Sequence, residues 1–494
     1  MATPTLTGLP LELLEEIVQQ TMPEGFESLA LTCRAIHEIC TPFIERHNRL
    51  RSKFCRFQYR DRSPKSGSFW VQDPLWQPMR SSFNLLAHIA VEPIVSRYIV
   101  DANFERDFYS PGTTIPPLIP NIHDGGPLVE LFANSPYLRQ AGLDWKEYYA
   151  LIVDDLAEHP HYSQSAAAFL LTLLPNIKTL TLPVLWNPLE KTKKLLDVIV
   201  RETKRMNSPW DTPSLAQVST FTALTPPDSG PEFDLNNAVP FLALPHVRSF
   251  SSYGCVAMGN DSMALASKDP YLHYGATLEN AEFWDCCIDD VAIANFVKHA
   301  PRLRKLTCAH WSSGNDDHRD WDIRKFVTVI EREAGNHLEE LSVTMRDLKH
   351  SISPGKASMR GLKRLRKLKF PLAIAMCNVT DAESRVTAPN EDLANKELGK
   401  SGPFIGDLVP ASVSELSLVS LGKDHHEKAL EVMFSNFAAK KDSQLPALKE
   451  IYLSCLESAD DAYKEQCAKL VAETEKAGVV LHLMDSLCDN YYIN

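Results

Sequence analysis

Two stretches, Leu303-Arg304-Lys305-Leu306-Thr307-Cys308 and Leu338-Glu339-Glu340-Leu341-Ser342-Val343, spell one pattern: apolar, two variable, apolar, one variable, apolar. The same spelling recurs as Ile177-Leu180-Leu182, Val218-Phe221-Ala223, Val247-Phe250-Ser252, Leu278-Ala281-Phe283, Leu365-Leu368-Phe370, Val413-Leu416-Leu418 and Leu448-Ile451-Leu453. Ile99-Ala102-Phe104 is a degenerate early copy, and Val479-Leu481-Leu483 reads as a closing strand. The alternation ending each copy predicts a short strand with one buried face. Between copies, Ile323, Phe326, Val327 and Ile330 make a helical stripe, as do Leu430, Met433, Phe434 and Phe437. Leu196, Ile199 and Val200 lie in a similar segment. Strand alternating with helix predicts a parallel sheet, because parallel neighbours need a crossover connection.

A proline often precedes the strand, as in Leu174-Pro175-Asn176, Leu244-Pro245-His246, Ala300-Pro301-Arg302 and Leu445-Pro446-Ala447. The recurring junction marks one repeated unit. From anchor to anchor the steps are 41, 29, 31, 25, 35, 27, 48 and 35 residues, against about 20–29 in regular arrays. The strand pattern resembles that of leucine-rich repeats. The resemblance implies an α/β solenoid over 93–494, with a parallel sheet on the concave side and helices on the convex side. Partners of such solenoids dock on the concave strands, which here carry Asn280, Glu282, Thr307 and Glu450. Aromatic and basic side chains on that face, Tyr253, Trp284, Lys305, Lys367, Lys369 and Tyr452, are the candidate substrate-binding residues. The polar stretch 376–404, poor in aromatics, is expected to be a flexible loop, and 51–92 a linker or packing segment. Residues 105–135 and 225–240, rich in Pro and Gly, are expected to be two further excursions.

At the amino end, Leu9-Pro10-Leu11-Glu12-Leu13-Leu14-Glu15-Glu16-Ile17 predicts a helix from about Pro10 to Gln20. Proline belongs in a first helical turn and acidic residues favour the positive end of the macrodipole. Pro23-Glu24-Gly25 breaks the run. Phe26, Leu29, Ala30 and Cys33 then share one face, and Ile36, Ile39, Cys40 and Phe43 repeat the spacing. Three short helices in 1–50 bury little apolar surface, which predicts a partner. This segment resembles an F-box. The resemblance implies docking to the Skp-type adaptor subunit of a cullin-RING ubiquitin ligase through Leu9, Pro10, Leu13, Leu14, Ile17, Leu29, Cys33 and Ile36. Many family members have a tryptophan late in the motif, where this chain has Cys40 to Phe43.

The chain of 494 residues has net charge -12, which disfavours nucleic acid and anionic membranes as partners. No apolar run reaches the ~18 residues of a spanning helix, so a soluble intracellular protein of cytoplasm, nucleus or both is expected. Eleven scattered cysteines do not spell a disulfide framework. There is no glycine-rich phosphate loop, Cys-x-x-Cys, His-Glu-x-x-His or Gly-x-Ser-x-Gly. His425-His426 point about 100° apart on a helix and make a poor metal pair. Asp316-Asp317-His318-Arg319-Asp320 reads as a charged surface turn, and Cys286-Cys287 as buried thiols without an activating base. No catalytic residue, metal or cofactor is therefore expected. Taken whole, the chain looks like the F-box proteins with irregular leucine-rich repeats that are numerous in fungi: a substrate-recognition adaptor, with an unknown protein substrate on the repeats. The alternative is a repeat scaffold outside any ligase.

Overall fold

The computed structural model describes residues 6–59, 79–108, 119–158, 162–205, 212–225, 233–259, 273–311, 322–345, 358–372, 404–420 and 426–485. The expected loop at 376–404 lies outside them except for Phe404, and Asp316 to Asp320 lie outside altogether. The fold is α/β with open, parallel strands. Two compact units divide the chain: Met1–Leu224 with Leu244–Val247, and Thr225–Ala243 with Arg248–Asn494. This division falls inside the expected 93–494 body.

The first unit begins with α1 (Leu11–Gln20), α2 (Phe26–Ala30) and α3 (Arg34–Phe54). Pro10 is the residue preceding α1 rather than part of its first turn, its φ of -55° and ψ of 146° being extended. The third helix runs on to Phe54, past the expected module boundary at 50, because His47, Leu50 and Phe54 continue its buried stripe. Leu14, Val18, Met22, Phe26, Ala30, Ile36 and Cys40 form one small core, with Leu29, Ile39, Phe43 and Ile44 packed against it. Ile94, beyond the three helices, joins that core.

Polar contacts continue what Ile94 begins. Glu24 accepts from Arg97 Nη2 at 2.6 Å and from Asn176 Nδ2, and Asn176 also donates to the Arg97 carbonyl at 2.7 Å. Arg46 pairs with Glu92 at 2.8 Å, and buried His47 meets the Tyr98 hydroxyl at 2.8 Å while stacking on Phe26. Burial lowers the His47 pKa from 6.5, against the opposing pull of Glu27, favouring the neutral ring. The three-helix module is thus fixed to its unit by residues from 92 to 176.

Four strands of this unit run parallel: β1 (Arg56–Gln58), β2 (Asp101–Asn103), β3 (Thr179–Thr181) and β4 (Thr220–Ala223). Between β1 and β2 lie α4 (Ser82–Val91) and α5 (Val95–Tyr98), so 51–59 and 79–92 of the expected linker or packing segment carry helix and strand, and 60–78 lie outside the described residues. The expected excursion at 105–135 holds a helix, Pro127–Ala133, whose Leu128, Val129 and Phe132 are buried. Phe132 stacks on Phe169 at 4.0 Å within a helix, Gln164–Leu170, buried on every side.

The second unit contains β5 (Phe233–Asp234), β6 (Ser249–Tyr253), β7 (Cys255–Ala257), β8 (Asn280–Ile288), β9 (Lys305–His310), β10 (Glu340–Met345), β11 (Lys367–Pro371), β12 (Glu415–Val419), β13 (Glu450–Ser454) and β14 (Val480–Met484). Parallel pairing runs β6-β8-β9-β10-β11-β12-β13-β14, and β7 pairs with β5 and with the far end of β8. Gly254, at φ +67°, turns the chain between β6 and β7, and a Cβ there would collide with the Thr225 side chain. A bulge interrupts β8 between Phe283 and Cys286, with Asp285 at φ 51°.

Register converts the repeated spelling into rows. Phe250, Ala281, Leu306, Leu341, Leu368, Leu416, Ile451 and Leu481 lie side by side. All but the edge residue Leu481 are buried. Helices such as Asp290–Lys298 and Ile323–Ala334 connect the strands, and Ile293, Phe296, Phe326 and Ile330 are buried on them. The odd rows point the other way and are polar.

Candidate functional site

The polar face of the second unit collects most of the candidate substrate-binding residues. One row reads Asn280, Lys305, Glu340, Lys367, Glu415, Glu450, and the row two residues on reads Glu282, Thr307, Ser342, Lys369, Ser417, Tyr452, His482. Lys305, Lys367, Lys369 and Tyr452 line one shallow cavity of about 180 Å³ with Glu340, Ser342, Glu415 and Ser417.

Most of the charges are cross-paired. Lys305 reaches Glu282 at 2.7 Å and Lys367 reaches Glu415 at 2.9 Å. The Glu415 carboxylate raises the Lys367 pKa, first through their hydrogen bond. The Tyr452 hydroxyl donates to Glu450 at 2.5 Å, which raises that phenol's pKa, and its ring stacks on His482 at 4.6 Å. His482 Nε2 lies 3.6 Å from the same Glu450. Across strands about 4.8 Å apart, this is a half-exposed ladder of mixed sign. Its side chains are oriented by one another before any partner arrives. Removing one pair should barely touch folding: Lys367→Ala is expected to cost under ~1 kcal/mol, as exposed ion pairs generally do. A thermal melt checks this, and a loss several times larger would make the ladder a structural support.

Tyr253 and Trp284 stand apart from the cavity, at the end of β6 and the bulge within β8, stacked at 6.3 Å. Trp284 Nε1 donates to Glu282 at 3.4 Å, and Glu282 holds Lys305. The aromatic pair and the charged ladder therefore share Glu282.

Neither Cys286 nor Cys287 is activated. Burial raises the Cys286 pKa well above its usual value and pushes Cys287 up to about 11, so both are neutral at physiological pH and poor nucleophiles. His426 accepts or donates at 2.8 Å with Ser420 Oγ, while His425 lies outside the described residues. Among the described residues no group of three or more His, Cys, Asp or Glu is placed to hold a metal ion, and no helix is long and apolar enough to cross a membrane.

In the amino-terminal module the eight candidate docking residues separate into two sets. Leu9, Pro10, Leu13 and Cys33 are exposed, and Ile17 and Leu29 half-buried. Leu14 and Ile36 instead sit in the module's own core at 5% and 2% exposure. The reason is geometric: neighbours on a helix point about 100° apart, and the inward face passes through Leu14 and Val18, leaving Leu13 outside. Three further exposed leucines are not among the eight candidates: Leu6, Leu11 and Leu31, at 41%, 54% and 82%. Of ten large hydrophobics exposed among the described residues, five fall between Leu6 and Leu31. No family model matches the chain, and no curated protein matches it.

Proposed function

We propose that the chain is a non-catalytic adaptor of F-box type. Its first 54 residues join a cullin-RING ubiquitin ligase through the Skp-type subunit, and its second unit, an irregular leucine-rich-repeat sheet, presents a protein substrate from the cytoplasm or nucleus. The observation that carries this reading is the cluster of exposed leucines at Leu6, Leu9, Leu11, Leu13 and Leu31. Exposed leucines are common singly, but half of the exposed large hydrophobics among the described residues falling between Leu6 and Leu31 mark a surface that a partner covers. Such an adaptor catalyses nothing; it raises the concentration of target lysines near a separate conjugating enzyme.

The ladder on the second unit supports the other half of the reading. Its charges of both signs, flanked by Tyr452 and the Tyr253–Trp284 pair, suit a protein segment with mixed charge and at least one apolar anchor.

A specific observation favours a second reading, in which the module is a cap on a scaffold. The ties from Glu24, Arg46 and His47 to residues 92–176 are what a cap requires. The exposed leucines discriminate, since a cap leaves them without purpose. In a pull-down with the Skp-type subunit, Leu11→Asp/Leu13→Asp/Leu31→Asp is expected to retain less than about 1% of wild-type binding, given several desolvated anchors of about 1–2 kcal/mol each. Its melting temperature should be unchanged, because none of the three is in the core. Equal binding by both proteins, or none by wild type, overturns the ligase reading and leaves the scaffold.

A further inference from the structure

β14 is the last strand of the second unit's sheet, and among the described residues it pairs only with β13. In a parallel ladder the N–H and C=O of one residue point to the same neighbouring strand, and those of the next residue point away. Val480 N–H donates to Lys449 O at 2.9 Å and Met484 O accepts from Cys455 N–H at 2.7 Å, so Val480, His482 and Met484 face β13. The N–H and C=O of Leu481 and Leu483 therefore point outward from the sheet edge.

An edge of this kind is a template for another strand, and proteins usually blunt it with charge, proline or brevity. β1, the edge strand of the first unit, follows that rule, having three residues of which Arg56 and Gln58 are exposed. β14 does not. It has five residues, Val480-Leu481-His482-Leu483-Met484, with no Lys, Arg, Asp, Glu or Pro among them. Val480 is 55% and Leu483 45% exposed, and they are two of the five exposed large hydrophobics that the described residues hold outside the amino-terminal module.

The strand is its own complement. Leu481 and Leu483 lie on the face of Ile451 and Leu453, and Val480 and His482 on the face of Glu450 and Tyr452. A two-fold axis through His482 sets the strand antiparallel to its copy, with Leu481 opposite Leu483 of the copy, Val480 opposite Met484 and His482 opposite itself. Every apolar side chain then meets an apolar one on its own face. The outward backbone groups of Leu481 and Leu483 fall in hydrogen-bonded pairs, and His482 falls in a non-hydrogen-bonded pair with Cα atoms about 4.5 Å apart. Other axes fit worse: through Leu481, Val480 meets His482, and through Leu483, Leu481 meets the exposed Asp485.

We propose that β14 is a homodimer interface, at which two copies of the chain join their second units edge to edge about His482 into one continuous sheet. Interfaces below about 1,200 Å² are weak, so a strand pair of this length is expected to dissociate at about 10–100 μM. This inference does not depend on the ligase reading.

Sedimentation equilibrium of the full chain from about 1 to 200 μM tests it. Wild type is expected to approach twice the chain mass, and Val480→Lys/Leu483→Lys to dimerise at least tenfold more weakly at an unchanged melting temperature. Leu483→Pro removes one outward N–H and none of the bonds to β13, and should weaken the dimer likewise. Leu11→Asp/Leu13→Asp/Leu31→Asp should dimerise as wild type does, which separates this edge from the module. His482→Cys brings two thiols across the axis within reach of a disulfide and should cross-link in copper phenanthroline and air. Val480→Cys, whose copies lie about 13 Å apart, should show only the wild-type background. Monomeric wild type at every concentration, an unweakened dimer in the lysine variant, or cross-linking of Val480→Cys as strong as that of His482→Cys overturns the proposal.

Discussion

Asp107→Asn is expected to leave stability unchanged near pH 4 and to raise it by about 4 kcal/mol above pH 8. Asp107 is buried after β2, where its oxygens accept from the Ser82 backbone N–H at 2.7 Å and from the Ser82 hydroxyl, fixing the start of α4. Those bonds favour the carboxylate, but desolvation outweighs them and raises the pKa from 3.8 to about 7. A folded-state pKa above the unfolded one means the native chain holds its proton longer. The stability this contributes is complete below pH 3.8 and is lost as pH rises through about 7. At about 1.4 kcal/mol per unit the whole loss is about 4 kcal/mol. Asparagine keeps an oxygen for the Ser82 N–H and has no charge to bury, so its variant lacks the loss. His310, lowered by burial from 6.5 to about 4, has the opposite sign: its contribution is present above pH 6.5 and lost as pH falls through about 4. Both proteins share that acid limb, so the difference between their denaturation curves across pH isolates Asp107. A constant difference from pH 4 to pH 9 would contradict the assignment.

Phe283→Ala should cost about 3–5 kcal/mol, the range for an aromatic truncated in a core that cannot collapse. Phe283 is fully buried in β8, edge-on to Phe250 of the neighbouring strand at 5.7 Å and to Phe296 of the following helix at 5.0 Å. One ring therefore joins two successive repeats and the connection between them. In a repeat array stability is largely a sum of neighbour interfaces, so the loss should appear as a separate early transition of the second unit in calorimetry. A shift worth less than ~1 kcal/mol would mean that the repeats do not share this core.

The strands were legible because the apolar spacing is a direct consequence of the pleat: Leu306, Leu341, Leu368 and Leu416 must all face inward for the sheet to bury one side. Phe54, Phe57 and Tyr59 carry the same spacing around β1, with Phe57 at its centre, and all three are buried. With no proline before them and Arg56 and Gln58 between, they do not stand out. β7 is three residues following a glycine turn, too short to leave a pattern. Alternation also put Lys305, Lys367, Lys369 and Tyr452 on the outward face. Their partners Glu282 and Glu415 were illegible as partners, because register between strands separated by 25 to 48 residues is settled by the intervening connections and not by local spelling. The amino-terminal helices failed differently. Periodicity groups Leu13 with Ile17 and Leu14 with Val18, yet only packing against Phe26 and Cys40 decides which pair turns inward. Leu11 and Leu31, outside the periodic stripes, carry no signal in the sequence until that packing exposes them.

The exposed leucines of the module are proposed as a docking surface for the ligase adaptor subunit. Light scattering after size exclusion of the full chain mixed with the purified Skp-type subunit tests it most directly. A one-to-one complex with the wild-type chain, and two separate species with Leu11→Asp/Leu13→Asp/Leu31→Asp at unchanged melting temperature, is the predicted result. Two separate species with the folded wild-type chain would contradict it.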